Sequence, residues 1–322
     1  MPRTESRTGA ATGAPPGLRA VVPFRGPLCT GPCAAPHAKG ILQPLPGDGP
    51  GNRRLRMQIP RMHLFELEDL PWFPPAIRNL ATDYLVFMET LFALHKPAVP
   101  LMRQLIEESG AAHVIDLCSG GGGPVLAVYE SLLAQGISVP FTLTDKYPNL
   151  GAFRRCASLH PAGILYTADS VDATEVPRDM VGLRVMFNAF HHFAPGPARA
   201  VLECAVNARQ PIGIFEIPER ALSTMTPLLF TPLFVAMATP FIRPFRWRRF
   251  LWTYVFPLVP LTCWWDGLVS QCRAYTVGEM LELTRGLNNY EWTADRIQIS
   301  GAPGHLTYLL GTPRDSTPVE QS

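Results

Sequence analysis

The segment HVIDLCSGGGGPVLAVYESLL, residues 113–133, constrains this chain more than any other: an apolar strand ends in an acid and runs through four consecutive glycines into a helix. Glycine reaches positive φ and lets a ligand approach the backbone, and the free N–H groups at a helix start favour an anion. Asp116, at the strand end, is placed to accept from an ammonium, directly or through water. Such a site suits an amino-acid moiety better than a pyrophosphate. Four glycines alone also describe a flexible loop; the flanking strand, acid and helix give them their meaning.

Around this segment, short apolar runs alternate with helical spacing. Strands are expected at His113 to Leu117, Phe141 to Thr144, near Ile164 to Tyr166, at Leu183 to Phe187 and at Ile212 to Ile217. Helices are expected at Pro124 to Ala134, Leu150 to Ser158 and Pro197 to Asn207. This alternation predicts a parallel sheet covered by helices. Two last strand-like runs, Trp292 to Ile299 and His305 to Gly311, are joined by SGAPG and predict an antiparallel hairpin at the sheet edge. Upstream, Ile77, Leu80, Tyr84, Phe87, Met88, Leu91 and Leu94 follow Pro74 and Pro75 at helical spacing, and a second short helix is expected over Leu101 to Glu108.

Three acids follow successive strands. Asp145, in FTLTDKYPN, is placed to accept from the two hydroxyls of a ribose, and Asp172, in YTADSVDATEVP, from an adenine amino group. Singly, each reads equally as a solvated loop charge or helix cap. Their regular placement points to a nucleoside site.

On these residues the chain resembles the class I methyltransferases that use S-adenosylmethionine. DLCSGGG, Asp116 to Gly122, is similar to their first motif, with Gly120 and Gly122 in register and Cys118 standing where the first glycine belongs. The resemblance implies that Asp145 binds the ribose, that Asp172 and Ala173 form the adenine side, and that VMFNAFHHFAP, with Asn188, lines the reaction centre. Its expected fold is a Rossmann-like α/β sheet, mostly parallel with a terminal antiparallel strand, carrying N-terminal helices and an inserted hydrophobic helical lid. Within the class, the chain is most similar to quinone-biosynthesis C-methyltransferases and to a bacterial group opening with an LFE-x-ED-x-PWFP-like sequence. The apolar lid predicts a small hydrophobic acceptor, and the likeness places Trp264, Asp266, Ser270, Arg273 and Tyr275 beside its pocket. The alternative for these five is a solvent-facing helix with Arg273 paired to a surface acid.

Methyl transfer from a sulfonium is an in-line displacement that depends on alignment, and a base matters only when the nucleophile must lose a proton. His191 or His192, after the fourth strand, is the expected base, and Glu216, at the end of the fifth, is the other candidate. Either histidine alone is as readily a loop filler.

Residues 221–265 separate two sheet strands and carry four arginines, Arg243, Arg246, Arg248 and Arg249, but no Lys, Asp or Glu. Pro227, Pro232 and Pro240 argue against a spanning helix, as does a return to the sheet that would put the arginines on the non-cytoplasmic side. The expectation is a broken helical hairpin over the active site that meets a membrane surface, with burial as extra core as the alternative.

Composition divides the chain. Residues 1–56 hold ten Pro and nine Gly, with seven Arg and one Lys against Glu5 and Asp48, and are expected to form a disordered tail. Met57, where the composition turns globular, is the alternative start. A domain over residues 57–313 and a tail at 314–322 are expected. The net charge of +2 gives no reason to invoke nucleic acid. Seven cysteines without paired spacing point to reduced thiols, hence to the cytoplasm with peripheral contact at the inner membrane face. Cys29, Cys33 and His37 lack a fourth ligand, so no metal is expected. Two rival readings are a nicotinamide-dependent oxidoreductase, which lacks a clean glycine fingerprint here, and a catalytically silent membrane-associated scaffold.

Overall fold

The computed structural model describes residues 60–302 and 304–314, so the expectations for residues 1–56, the start at Met57 and residues 315–322 lie outside the described residues. Seven strands form one sheet: β1 (Val114–Asp116), β2 (Phe141–Asp145), β3 (Ile164–Ser170), β4 (Leu183–Phe187), β5 (Ile212–Glu216), β6 (Tyr290–Gln298) and β7 (His305–Pro313). Their order is β3-β2-β1-β4-β5-β7-β6, with the first five parallel and β7 inserted antiparallel between β5 and β6. This is the Rossmann-like sheet expected from the sequence, with its terminal hairpin. Strand order reverses between β1 and β4, and the crevice beyond their carboxyl ends is where open α/β sheets hold ligands.

Alternation along the strands sorts the sheet into two faces. Val114, Val185 and Phe215 join one apolar cluster with α2 (Ala98–Ser109), α3 (Gly123–Ala134) and α4 (Leu150–Leu159). Ile115, Met186 and Ile214 join the other, with α5 (Pro195–Asn207). Strand β3 runs four residues beyond its apolar stretch. It lies at the sheet edge, where the polar Thr167 to Ser170 stay half-exposed or exposed while the backbone keeps pairing, Asp145 opposite Ser170, after a register shift.

A third cluster stands apart from the sheet. Helix α1 (Pro75–Leu91) contributes Ile77, Leu80, Ala81 and Tyr84. The segment between β5 and β6 contributes Val235, Ala238, Ile242, Val259 and Cys263. That segment is broken into α6 (Leu222–Leu228), α7 (Thr231–Ala238), α8 (Trp247–Phe250), a π-helical turn at Leu251–Val255 and α9 (Leu258–Arg273). Proline accounts for the breaks. Pro227 lies in the last turn of α6, Pro232 opens α7, Pro240 follows it, and Pro257 caps α9. Among the described residues no helix is long and apolar enough to cross a membrane. One more helix, α10 (Val277–Leu283), is opened by a capping box between Thr276 and Glu279 that sequence periodicity does not announce.

Helix α1 also lies against the glycine turn. A Cβ on Gly123 would sit 2.6 Å from Val86 Cγ2, and one on Gly121 2.7 Å from Thr82 Cγ2. These two glycines are therefore required for packing, not for backbone freedom. Gly123→Ala should cost about 1–2 kcal/mol in urea unfolding, overpacking outweighing the gain in helix propensity. Unchanged stability would mean that α1 does not rest on the turn.

Candidate functional site

The turn between β1 and α3 alternates left-handed residues: Cys118 (φ 58), Gly120 (φ 50) and Gly122 (φ 73). Cys118 adopts the conformation that a glycine holds at lower cost, by roughly 1 kcal/mol. The turn is tied to β2, since Ser119 N donates to the carbonyl of Thr144 at 2.9 Å and Thr144 N donates to Ser119 Oγ at 3.0 Å. Gly120 has open space where a Cβ would stand, so the turn presents bare backbone there.

Of the three acids expected around this turn, Asp116 leads into it and Asp145 bonds to it, while Asp172 is held by Lys146 and Thr174. Asp116 is 2% exposed, and its Oδ1 has no hydrogen-bond partner. Burial, with a contribution from Asp145, pushes its carboxyl up to about 8. Asp145 accepts from Gly120 N at 2.9 Å and from Tyr147 N at 2.8 Å, which locks the second strand end to the glycine turn. Asp172 pairs with Lys146 at 2.7 Å and accepts from Thr174, and these contacts, Lys146 first, pull it down to about 2. Cys118 lies among them. Its thiol is driven well above the ordinary range, first by burial and then by the charges of Asp145, Asp116, Asp172 and Glu216. Ala173 is buried in the cluster that Cys118 packs against. Asn188, at φ 50, is held from both sides: its Nδ2 donates to Glu89 on α1 at 2.7 Å, and its Oδ1 accepts from Ile217 N at 2.9 Å.

The two histidines differ. His191 is 2% exposed; its Nδ1 lies 2.5 Å from Glu216 Oε2, and Glu216 Oε1 accepts from Phe190 N at 2.7 Å. With Glu216 as the acceptor, Nδ1 is the donating nitrogen and Nε2 is the ring nitrogen left over. Nε2 faces Glu66 Oε1 at 3.9 Å. His192 is turned toward the N-terminal strap, residues 61–69, with Nδ1 at 2.9 Å from Asp69 and 3.4 Å from Glu66. Burial opposes its charge, but Glu66 and the Asp69 hydrogen bond overcome that and push His192 up to about 9.

Helix α9 and the residues just after it carry four of the five residues expected at an acceptor pocket into contacts with this strap and its surroundings. Asp266 accepts from Leu67 N at 2.7 Å and Glu68 N at 3.1 Å. Ser270 donates to Glu66 at 3.1 Å. Arg273, buried rather than facing solvent, reaches Glu66 at 3.3 Å, Asp69 at 2.6 Å and the carbonyl of Leu64 at 2.6 Å. Tyr275 donates to the carbonyl of Phe193 at 2.7 Å and carries the Arg61 guanidinium over its ring at 4.0 Å. Trp264 is half-buried on α9. Glu66, His191 and His192 present ligand-type atoms within 4.8 Å of one another, but the Arg273 guanidinium already stands against Glu66 where a cation would act.

Sequence reasoning assigned no role to Glu66, Asp69, Arg61 or Glu89. The signal was present in LFELEDLPWFP, where three acids interrupt an aromatic stretch that otherwise has no reason to hold charge.

The chain matches no family model, and no curated protein matches it. Solved structures do match. The pyocyanin biosynthetic protein PhzM is 14% identical at a TM-score of 0.38, over 62% of this chain and 49% of that one. An O-methyltransferase family protein from Burkholderia thailandensis is 14% identical at 0.38, over 70% and 59%. Magnesium protoporphyrin IX methyltransferase (ChlM) from Synechocystis PCC 6803, solved with bound SAM, is 9% identical at 0.41, over 71% and 84%. The chain spans about half the length of the first of these.

His192 generates a pH dependence. Its folded value of about 9 lies above the ordinary 6.5, so its contribution to holding the strap is complete below about 6.5 and is lost as pH rises through about 9. Amide exchange of residues 61–69, corrected for intrinsic rate, should accelerate across that window, and His192→Gln should remove the excess. A flat profile in the parent protein would mean that His192 is not the strap's charged partner.

Proposed function

We propose that this protein is an S-adenosylmethionine-dependent methyltransferase acting on a small hydrophobic acceptor. The observation that carries the reading is the unpartnered Oδ1 of buried Asp116, beneath a glycine turn that stands open at Gly120 and is clasped by Asp145. A buried carboxyl oxygen with no donor is costly, and a ligand ammonium is the donor that relieves it. The residues present therefore fit the amino-acid end of that cofactor. They fit its nucleoside as well: Asp145 keeps lone pairs beyond the two it uses, and Asp172, already ionised, lies beyond the edge strand for the base.

When bound, S-adenosylmethionine supplies a methyl group for displacement at its sulfonium. The chain's own residues hold and orient. Asp116 would take the ammonium of the amino-acid end, Asp145 the ribose hydroxyls, and Asp172 with Ala173 the adenine side. His191, with Nδ1 held by Glu216, accepts a proton at Nε2 from an acceptor whose nucleophile must lose one. Glu216 is thus a positioning residue that fixes the tautomer, and His192 holds the strap. Asp266, Ser270, Arg273 and Tyr275 shape the acceptor side through the strap, while Trp264 offers an aromatic wall.

Calorimetric titration with S-adenosylhomocysteine and with NADH tests the cofactor. The expected result is binding of the first alone, weakened about tenfold to a hundredfold in Asp145→Asn, the worth of hydrogen bonds to a charged group. Binding of NADH alone overturns the reading in favour of an oxidoreductase. The base is tested by methyl-label transfer into a lipid-soluble cell extract. His191→Gln should lower incorporation by about a hundredfold or more while leaving S-adenosylhomocysteine affinity unchanged. Undiminished incorporation would remove His191 from the chemistry.

A further inference from the structure

The face that residues 222–261 turn outward is unlike the rest of the molecule. Large apolar side chains stand exposed along it: Phe241 is 68% exposed, Val255 64%, Trp247 63% and Phe245 61%. With their neighbours they make up an apolar plate whose middle is tied together. Tyr254 Oη donates to the carbonyl of Ala236 at 2.6 Å, which lays the π-helical turn beside α7, and Phe245, Phe250 and Tyr254 follow one another at ring separations of 5.2 and 5.8 Å. The opposite side of the same helices packs on α1 through Val235, Ile242 and Val259. One side of the segment is therefore core and the other is uncovered.

The charges on the plate identify what covers it. Residues 221–265 contain no acid and no lysine. Two of the four arginines serve the fold: Arg249 is buried and pairs with Asp83 on α1 at 2.7 Å, and Arg246 stands 3.5 Å from the same carboxylate. Arg243 and Arg248 are exposed, and they bracket Phe245 and Trp247 in the chain. Aromatic rings mixed with cations of one sign and no acid make a poor match for another protein surface, which carries both signs. They match an apolar layer edged with anionic head groups, where Trp and Tyr settle and Arg meets phosphate.

We infer that this plate docks on an anionic lipid bilayer, seating the aromatic side chains of residues 241–256 at the head-group boundary with Arg243 and Arg248 against phosphates. Its functional consequence follows from α9, which lines the back of the plate and carries Asp266, Ser270 and Arg273 to the strap over His191. The docked face is thus joined through α9 to the strap beside His191, and a lipid-dissolved acceptor would approach the site from that side. That last clause rests on the methyl-transfer reading; the docking does not.

Flotation of the full chain with vesicles is therefore read without any methyl donor. Vesicles of phosphatidylcholine with one-quarter phosphatidylglycerol, by design, should carry the protein up, and pure phosphatidylcholine should carry about tenfold less. Phe241→Ser/Phe245→Ser/Trp247→Ser and, separately, Arg243→Glu/Arg248→Glu should each cut recovery on anionic vesicles about tenfold or more, with thermal unfolding unchanged. No flotation, or flotation that both variants retain, overturns the inference; the second result would assign lipid contact to other basic residues. A dimer in light scattering that the aromatic variant abolishes also overturns it, because the plate would then be covered by a second copy. Failure of S-adenosylhomocysteine to bind would sink the methyl-transfer reading and leave the docking intact.

Discussion

Glu66 and Arg273, both almost fully buried, form the contact on which the candidate site depends. Each charge alone would be expensive there, and each has further support, Arg273 from Asp69 at 2.6 Å and Glu66 from His192 at 3.4 Å. Arg273 ends α9, Glu66 belongs to the strap, and His192 follows β4. One cluster of charges thus joins the lid segment, the N-terminal strap and the carboxyl edge of the sheet, three regions that share no backbone hydrogen-bond ladder. A hydrophobic contact would have held them less selectively, since Asp69, Ser270, His192 and the Leu64 carbonyl complete the partners of these two buried groups.

A second buried arginine does similar work on the far side of α1. Arg249 donates to Asp83 and to the carbonyl of Ile242, so α1 is pinned between the glycine turn, through Gly121 and Gly123, and the lid, through Asp83. Helix α1 also sends Glu89 to Asn188, where burial pushes the Glu89 carboxyl up to about 7 against the opposing hydrogen bond. The glycine turn and the segment between β5 and β6 consequently share one support, α1. Whatever shifts the lid bears on α1, and α1 bears on the backbone that presents Gly120.

The sheet was legible in the sequence because each of its determinants is local: a period-two apolar run, a glycine turn, a short loop before a hairpin. The first acidic motif was legible for the same reason, and Cys118 even takes the left-handed conformation that its place in a glycine motif implies. Strand β3 was read short because an edge strand keeps its backbone pairing after its side chains turn polar, and apolar patterning does not register that. The strap was missed as a functional element because its partners lie about 200 residues away, as between Glu66 and Ser270, and no local spacing encodes such a distance. Asp266, Ser270, Arg273 and Tyr275 were expected beside an acceptor pocket, and the contacts the structure shows for them are with protein, chiefly the strap. A polar residue on an apolar helix announces that it needs a partner without saying which.

The histidine pair divides its labour through the carboxylates that flank it. Glu216 is fixed by the backbone N–H of Phe190, so it cannot turn away from His191 without leaving that donor unpaired. This fixes the His191 ring and its tautomer, and directs Nε2 toward the strap. Glu66, meanwhile, has three other claimants, Ser270, Arg273 and His192, and stands 3.9 Å from Nε2, beyond hydrogen-bond length. The basic nitrogen is therefore held in place by one carboxylate and merely covered by another. Glu66 thus faces Nε2 from the strap, and Arg273 and His192 hold it there. The surroundings of Nε2 are in this way tied to α9, the helix behind the apolar plate, because Ser270 and Arg273 on that helix are what hold Glu66 in place.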